Sequence, residues 1–391
     1  MAEIEEDEEM HTIAEDIVVT KYKMAGDLIN DVLKRLLEKC IPGARILDLC
    51  ELGDRLIQEE TAKVFKKEKE MKKGVAFPTC ISRNNCICHF SPLRSDGCQP
   101  ELADGDLVKI DLGAHIDGFA ACVAHSFVIG ASAAAPATGR KADAMLAAHY
   151  VAEACMRLLK PGGTNTEVAD TAQKIASAYK CTMVENMQCH LAKQHVVEAD
   201  KSVVWNPDET VKKAVEKCEF DVHEVWNVDV LVSTGDGKAK ERDTKTTVFR
   251  KKETVYSLKM KASRQFFSEM NAKFQAYPFS LRSFEDENKA RMGVVECVKH
   301  SLVEPLTVYW EKDAEFVAQF KFTLLLMPNG QMRITGLPFD TAAYKSDNKI
   351  EDAELLKVIT GALNKKAQKK KAKKKAAGDL ASAVESVKIS G

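Results

Sequence analysis

The stretch KIDLGAHIDGFAACVAHSF, residues 109–127, contains the residues that decide the fold. Two runs of residues typical of β-strands flank Asp117-Gly118, a pair that tolerates the positive φ angles of a two-residue hairpin turn. With the turn at this pair, the two strands have a defined register. The predicted partners are Leu112 with Val123, Gly113 with Cys122, and Asp111 with Ala124.

This register makes Asp111 and Cys122 diagonal neighbours on one face of the hairpin. Their backbones are then roughly 7–8 Å apart, which is within reach of the side chains. A carboxylate and a second ligand-type residue aimed at one point suit a metal site. The alternative is a surface hairpin with one solvated Asp, and the rest of the chain has to decide between the two.

Composition favours an ordinary globular protein, because 45% of the 391 residues are hydrophobic and 29% are charged. No apolar run approaches the roughly 18–20 residues that span a bilayer, and the acidic start at 1–9 has no apolar segment behind it. We therefore expect neither a cleavable secretion signal nor membrane insertion. Twelve Cys in such a chain predict reduced thiols in cytosol or nucleus. The run CICH at 86–89 fits no zinc spacing.

Charge is concentrated at the two ends of the chain, although the net charge is only −1. Residues 1–16 carry eight acids and no Lys or Arg, whereas residues 361–377 carry eight Lys and no acid. Residues 378–391 add two acids and one Lys, so the body at 17–360 is formally neutral. The pattern predicts an acidic flexible arm at 1–16, one folded body at 17–360 and a Lys-rich tail at 361–391.

Periodicity predicts an α+β fold with antiparallel sheet, since helices and strands alternate in blocks. Helical spacing covers 20–37, 46–73, 141–159 and 164–179, and a helical interlude covers 264–300. The predicted strands are 222–233 and 246–258, followed by a hairpin of 316–327 with 332–335.

Several motifs taken together resemble the type II methionine aminopeptidases. They are FPT at 77–79, NNC at 84–86 with His89, KIDLG at 109–113, His190, and STG at 233–235. The match covers nearly all of 17–345 in order. The resemblance implies the pita-bread (creatinase/aminopeptidase) fold, with a type II helical insert at about 238–316.

Further motifs resemble the proliferation-associated, ErbB-binding branch of that family. They are FKKEKEMKKG at 65–74, RMGVVEC at 291–297, QFKFT at 319–323 and the Lys-rich end. The resemblance implies binding to RNA and to the large ribosomal subunit near the nascent-chain exit, and a role in translation, ribosome biogenesis and growth. It also implies growth-control proteins as partners, and residence in cytoplasm and nucleus or nucleolus.

The ligand set of the active relatives is only partly present. Those enzymes hold two divalent ions with two Asp, one His and two Glu, and use another His beside the substrate. The resemblance places the five ligand positions, in order, at Asp111, Cys122, His190, Asp229 and Lys321. The substrate-side His is matched by His89, and a further His of the active enzymes falls near Glu198.

Electrostatics predicts that these positions are vestigial. Two divalent ions bring a charge of +4, whereas Asp111, Asp229 and Lys321 sum to −1, and an uncompensated buried charge is costly. Asp229 is also one methylene shorter than Glu. We therefore expect no metal, no other cofactor and no aminopeptidase activity. Strand alternation places Lys321 away from the packed layer, and we hypothesise that its ammonium lies between Asp111 and Asp229.

Other interpretations remain open at this point. The protein could be an active metal-dependent aminopeptidase with altered ligands, or a hydrolase with Cys122 as nucleophile and His190 as base. It could also hold nascent peptides without turnover. Lys321 could instead be a solvated Lys on an edge strand, and His89 and His190 could be ordinary buried histidines.

Two basic runs are candidates for RNA contact. The tail block contains Lys365, Lys366, Lys369, Lys370, Lys371, Lys373, Lys374 and Lys375. Without aromatic residues it suits phosphate backbones but cannot read bases, and it could equally serve as a nuclear address. The second run is Lys238, Lys240, Arg242, Lys245, Arg250, Lys251 and Lys252, which could also be a solvated hairpin.

Overall fold

The computed structural model describes residues 11–97 and 99–361. The helices of this part of the chain are α1 (Asp16–Leu37), α2 (Ile46–Lys63), α3 (Gly139–Leu158), α4 (Asn165–Ala178), α5 (Glu209–Ala214), α6 (Lys261–Phe274), α7 (Glu287–Lys299) and α8 (Ala353–Thr360), with short 3-10 turns at Leu281–Ser283 and Thr341–Ala343. Within these described ranges, no helix is long and apolar enough to cross a membrane.

The strands form one large sheet and several small ones. They are β1 (Lys73–Arg83), β2 (Cys86–Cys88), β3 (Leu107–Ile116), β4 (Phe119–Val128), β5 (Ala137–Thr138), β6 (Thr182–Met183), β7 (Gln188–Ala192), β8 (Ser202–Val204), β9 (Val225–Ser233), β10 (Lys240–Glu241), β11 (Val248–Lys251), β12 (Phe279–Ser280), β13 (Val303–Pro305), β14 (Tyr309–Trp310), β15 (Val317–Met327), β16 (Gly330–Arg333) and β17 (Tyr344–Lys345). The large sheet has the order β1-β3-β4-β15-β9-β7-β8, with β16 beside β15 and β6 beside β9. Its pairs are antiparallel, as predicted.

The β3–β4 hairpin has the register that its sequence predicts. Asp117 and Gly118 form the turn, with φ angles of 54° and 82°, and Asp111 lies opposite Ala124. Gly113 lies opposite Cys122 in the same ladder. The turn chemistry alone therefore fixed which side chains share a face of this hairpin.

Helices cover one face of the large sheet and leave the other face to the candidate site. Helices α1 and α2 pack on the β3 side of the sheet through a cluster that includes Ile29, Ile57 and Leu112. Helices α3 and α4 pack on β15 and β9 through a second cluster that includes Phe322 and Val230. Because side chains alternate along a strand, the residues between these core positions point to the opposite face.

The segment after β10 forms a unit of its own in the region where the family resemblance predicts an insert, and we keep that name for it. Strands β11, β12 and β13 make a small sheet that packs with α6 and α7 around a separate hydrophobic cluster. Among the contacts that tie it to the body, two join residues far apart in sequence. The guanidinium of Arg282 donates to the Asp54 carboxylate at 2.6 Å, and the hydroxyl of Tyr277 donates to the carbonyl of Gly118 at 2.7 Å.

Three predicted boundaries are wrong. Helix α2 ends at Lys63 and not at 73, because Val64 is extended and Phe65 has a φ of 45°. This turn lets Val64 and Phe65 pack against the cluster beneath α1, while the ammonium of Lys73 donates to the carbonyls of both residues. Within the predicted strand at 246–258, only Val248–Lys251 is strand.

The third boundary lies at the acidic arm. Residues 1–10 are outside the described part, but α1 begins at Asp16 and Ile13 is buried in the cluster under that helix. Residues 13–16 therefore belong to the folded body, since an apolar side chain anchors them. Residues 362–391, which include the eight lysines of the tail block, lie outside the described residues.

Candidate functional site

Strand register brings the five predicted ligand positions to one face of the large sheet. Lys321 on β15 lies opposite Asp229 on the neighbouring strand β9. On its other side Lys321 lies opposite Ala124 on β4, and Ala124 pairs with Asp111 on β3. One step along, Cys122 lies opposite Gly113. His190 on β7 faces Asn227 on β9, two residues before Asp229, and so completes the group. Residues from four separate parts of the sequence thus converge.

The ammonium of Lys321 lies between the two carboxylates. Its Nζ atom is 2.5 Å from Oδ2 of Asp111 and 3.0 Å from Oδ2 of Asp229. The Lys321 side chain is 11% exposed, so the alternative of a solvated edge-strand Lys is wrong. The ring of Phe77 lies beneath the ammonium at 4.8 Å from its centroid, in a cation–π arrangement.

Burial and the charge of the ion-pair partner act in opposite directions on the pKa values of Lys321 and Asp111. Burial opposes the charge on Lys321, but Asp111 and Asp229 outweigh it and raise the Lys321 pKa well above its ordinary value. For Asp111, burial is the largest effect, and with Asp229 it raises the pKa of the carboxyl to about 6 against the opposing charge of Lys321. Lys321 therefore stays charged at neutral pH, while Asp111 carries the cost of desolvation.

Gln319 is a member of the site that sequence reasoning did not assign. Its amide Nε2 donates to Oδ1 of Asp229 at 2.8 Å and to Oδ2 of Asp111 at 3.3 Å. The sequence did contain a signal for this assignment, because Gln319 lies two residues before Lys321 and therefore on the same face of the strand. Among the described residues, Oδ1 of Asp111 has no hydrogen-bond partner.

Cys122 is a buried neutral thiol. Burial raises its pKa to about 12, although the nearby charge of Lys321 acts to lower it. A thiol with such a pKa is protonated at neutral pH and is a poor nucleophile or metal ligand. A Cβ atom added to the opposing Gly113 would lie 2.9 Å from the Cys122 sulfur, so the glycine makes room for the thiol.

The two predicted histidines are held as neutral groups. Nδ1 of His89 lies 2.9 Å from the carbonyl oxygen of Thr307, and burial lowers the His89 pKa to about 4. Burial also lowers the pKa of His190, whose Nε2 is 3.7 Å from Glu198. Glu198 in turn forms an ion pair with Arg250 of the insert. Arg250 thus links the insert to the rim of the site.

Comparisons with known proteins decide the family. The model of metallopeptidase family M24 matches residues 20–215. The chain belongs to family M24. Within it, ErbB-3 binding protein 1 of Arabidopsis thaliana is 46% identical to this M24 chain, over 96% of this chain and 94% of that protein. The M24 chain therefore belongs to the branch that contains ErbB-3 binding protein 1, as its motifs predict.

Solved structures confirm the M24 fold. The structure of a thermophilic Arx1 matches with a TM-score of 0.84 at 34% identity, covering 90% of this chain and 99% of that one. Methionine aminopeptidase of Thermotoga maritima matches with a TM-score of 0.53 at 16% identity, covering 83% and 98%. The second likeness concerns the fold alone, and it confirms the predicted pita-bread architecture.

The side chains of this M24 chain do not fit a pair of divalent ions. A cation already lies between the two carboxylates, and Cys122 offers a protonated sulfur in place of a carboxylate. Within residues 11–97 and 99–361, no three His, Cys, Asp or Glu side chains are grouped to hold a metal. A divalent ion would have to displace Lys321 and then face too few negative ligands.

The second basic run of this M24 chain is largely paired. Arg242 lies 2.8 Å from Asp313 and stacks over Trp310, and Lys245 is 3.8 Å from Asp96. Arg250 and Lys252 both lie near Glu304. This leaves Lys238, Lys240 and Lys251 without an ion pair in the described part of the chain, so the run resembles a solvated hairpin more than a phosphate-binding surface.

Proposed function

We propose that this protein is a non-catalytic member of family M24 whose ligand positions now have a structural role. The observation that carries the proposal is the position of Lys321 between Asp111 and Asp229. An internal cation lies where the resemblance places two metal ions in active relatives, and it pairs with both carboxylates without any metal. No metal or other cofactor is needed in this proposal, and without metal no hydroxide nucleophile forms at neutral pH.

The alternative of Cys122 as a nucleophile has little support in this geometry. The thiol has a raised pKa and is 5% exposed. Nucleophilic catalysis by Cys depends on a thiolate next to a base. The cation beside this sulfur is Lys321, and it is already paired with the carboxylates of Asp111 and Asp229.

The molecular role that we propose is binding to RNA and to the large ribosomal subunit near the nascent-chain exit. Through this binding the protein would modulate translation, ribosome biogenesis and growth, in the cytoplasm and in the nucleus or nucleolus. The family resemblance supports this role, as does the cationic tail at 361–391, whose first part, 361–377, carries eight lysines and no acid. A cationic segment without aromatic residues suits phosphate contacts of low sequence selectivity. The acidic arm, which consists of the residues before the buried Ile13, carries the opposite charge at the other end of the chain.

Metal analysis together with a peptidase assay tests the loss of catalysis. Purified full-length protein is dialysed against Mn²⁺ or Co²⁺, its metal content is measured, and hydrolysis of a methionyl peptide is followed. We expect a metal content far below one ion per chain and no hydrolysis of the methionyl peptide. Stoichiometric metal with turnover would overturn the proposal.

Cosedimentation with large ribosomal subunits at increasing salt tests RNA binding separately. The matched control is a full-length variant with the eight tail lysines changed to Gln, which keeps the length of the tail. The slope of log K against log salt should become less steep by about 0.9 for each phosphate that the tail no longer neutralises, or about 0.7 on single-stranded RNA. If both the affinity and the slope are unchanged in this variant, the tail lysines do not bind the protein to the ribosomal subunit.

A further inference from the structure

The outward side of the insert carries an apolar patch that consists of Met260, Met292 and Val295. These side chains are 46%, 58% and 61% exposed. Met292 and Val295 are three residues apart on α7 and therefore lie on one face of that helix. Large exposed apolar side chains are normal when scattered singly, whereas a contiguous group marks an interaction surface.

Local contacts hold the coil that carries Met260 against α7. The carboxylate of Glu296 accepts hydrogen bonds from the backbone N–H groups of Lys259 and Met260, at 2.9 and 3.1 Å. Four residues after Glu296, just past the end of α7, the ring of His300 stacks on Tyr256 with centroids 3.7 Å apart. The coil at 256–260 is thus held along α7, with the backbone of Met260 at the carboxylate of Glu296, which lies one turn after Met292 on that helix.

A groove of about 1150 Å³ runs beside the patch, between α6 and α7. Its lining includes the buried rings of Phe266 and Phe284 and the small residues Ala262 and Ala272. Met292 is part of the same lining. Two helices with a groove between them present the geometry into which a third amphipathic helix packs.

The charge around the patch is positive. Five cations border it, namely Lys259, Lys261, Arg264, Arg291 and Lys299, and none of them forms an ion pair with a carboxylate of the described residues. Two of the acids that line the groove are neutralised, because Glu269 pairs with Lys273 and Asp286 pairs with Lys289. Glu285 is the third acid of the lining.

We propose that the patch and groove bind an amphipathic helix of another protein, one with an apolar stripe flanked by acidic residues. The unpaired cations select acidic flanks, and the methionines adapt to the apolar stripe. RNA is a poorer occupant, because aliphatic side chains cannot stack on bases as aromatic ones do. This surface is independent of the ligand positions and of the proposed tail contacts.

The test uses full-length protein and a labelled synthetic probe in fluorescence anisotropy. The probe is a helix of about 18 residues, or five turns, with Leu at i, i+3, i+4 and i+7 and Glu on both flanks. Controls are the same composition in shuffled order and the same stripe with Lys flanks. We expect the acidic probe to bind about tenfold more tightly than either control, with an affinity that falls as salt rises.

Surface variants locate the binding. Met292→Glu and Val295→Glu should each weaken the probe about tenfold, whereas Ile41→Glu, a matched change at a residue 60% exposed elsewhere, should leave it unchanged. Circular dichroism checks that each variant is folded. Lys299→Glu should reduce the salt dependence.

Four outcomes would overturn the proposal. The first is equal binding of the acidic, shuffled and Lys-flanked probes, and the second is an equal loss with Ile41→Glu. In the third, the two patch variants weaken an RNA hairpin but not the acidic probe, which makes RNA the occupant. In the fourth, removal of residues 1–10 raises probe affinity about tenfold, which makes the acidic arm of this chain the occupant.

Discussion

Lys321 and Asp111 are 210 residues apart in sequence, yet their side chains lie 2.5 Å apart between β15 and β3. Asp229 joins them at 3.0 Å from the same ammonium. A buried ion pair of this kind contributes little relative to a well-packed apolar replacement, but removing one partner is costly. The folded sheet therefore depends on Lys321 as long as the two carboxylates remain.

The first prediction concerns the loss of this cation. Lys321→Met leaves Asp111 and Asp229 buried side by side, and we expect the free energy of unfolding to fall by about 3–5 kcal/mol. Urea unfolding at pH 7 measures this change. Adding Asp111→Asn removes one of the opposed charges and should restore part of the loss, so the double variant should be more stable than Lys321→Met alone. A Lys321→Met protein within about 0.5 kcal/mol of the original would contradict the role of the ion pair.

The second prediction restores the ligand set. Lys321→Glu, Cys122→Asp and Asp229→Glu together return four carboxylates beside His190, which matches the set of the active relatives. We expect this triple variant to bind Mn²⁺ or Co²⁺ in stoichiometric amount by metal analysis after dialysis. Lys321→Gln alone, which removes the cation without adding ligands, is the control and should bind none. Failure of the triple variant would mean that the backbone positions no longer suit a metal.

The third prediction concerns the contact of Gly113 with Cys122. In Gly113→Ala the added Cβ would lie 2.9 Å from the Cys122 sulfur and 3.2 Å from Phe77. We expect a loss of about 1–3 kcal/mol, which Cys122→Ala should partly relieve. Gly97→Ala is the matched control, since nothing lies within 4 Å of its added Cβ. Equal effects of the two Gly substitutions in thermal unfolding would contradict the contact.

The fourth prediction concerns acid stability. His115 is 6% exposed and stacks on Tyr277, and burial lowers its pKa to about 3. Between that value and the ordinary value near 6.5, the unfolded chain binds a proton that the folded chain does not. Stability therefore falls as pH decreases through this window, by up to about 1.4 kcal/mol per pH unit from this residue.

His115→Phe keeps a ring against Tyr277 and removes the titrating group. Urea unfolding at several pH values from 4 to 7.5 should give a flatter pH dependence for this variant than for the original protein. Parallel curves would show that His115 does not contribute. His89 and His125, with pKa values lowered to about 4 by burial, account for part of the remaining slope.

Local sequence rules predicted the hairpin and most helices, because turn residues and periodicity act over short distances. Asp117-Gly118 determined the β3–β4 register, and alternation on β15 placed Lys321 and Phe320 on opposite faces. The same rules failed at 64–73, where the charged run has helical character. There the burial of Phe65 against a cluster from other parts of the chain ended the helix.

By itself the sequence determined the family and the register of the hairpin and predicted the altered ligand positions, since each depends on residue types at fixed spacing. Tertiary structure alone decided that Gln319 joins the two carboxylates and that Glu198 pairs with Arg250 of the insert. It also decided that the backbone of Met260 donates to Glu296 of α7. These contacts join segments far apart in sequence, and their partners follow from how sheets and helices pack together, which no local pattern encodes.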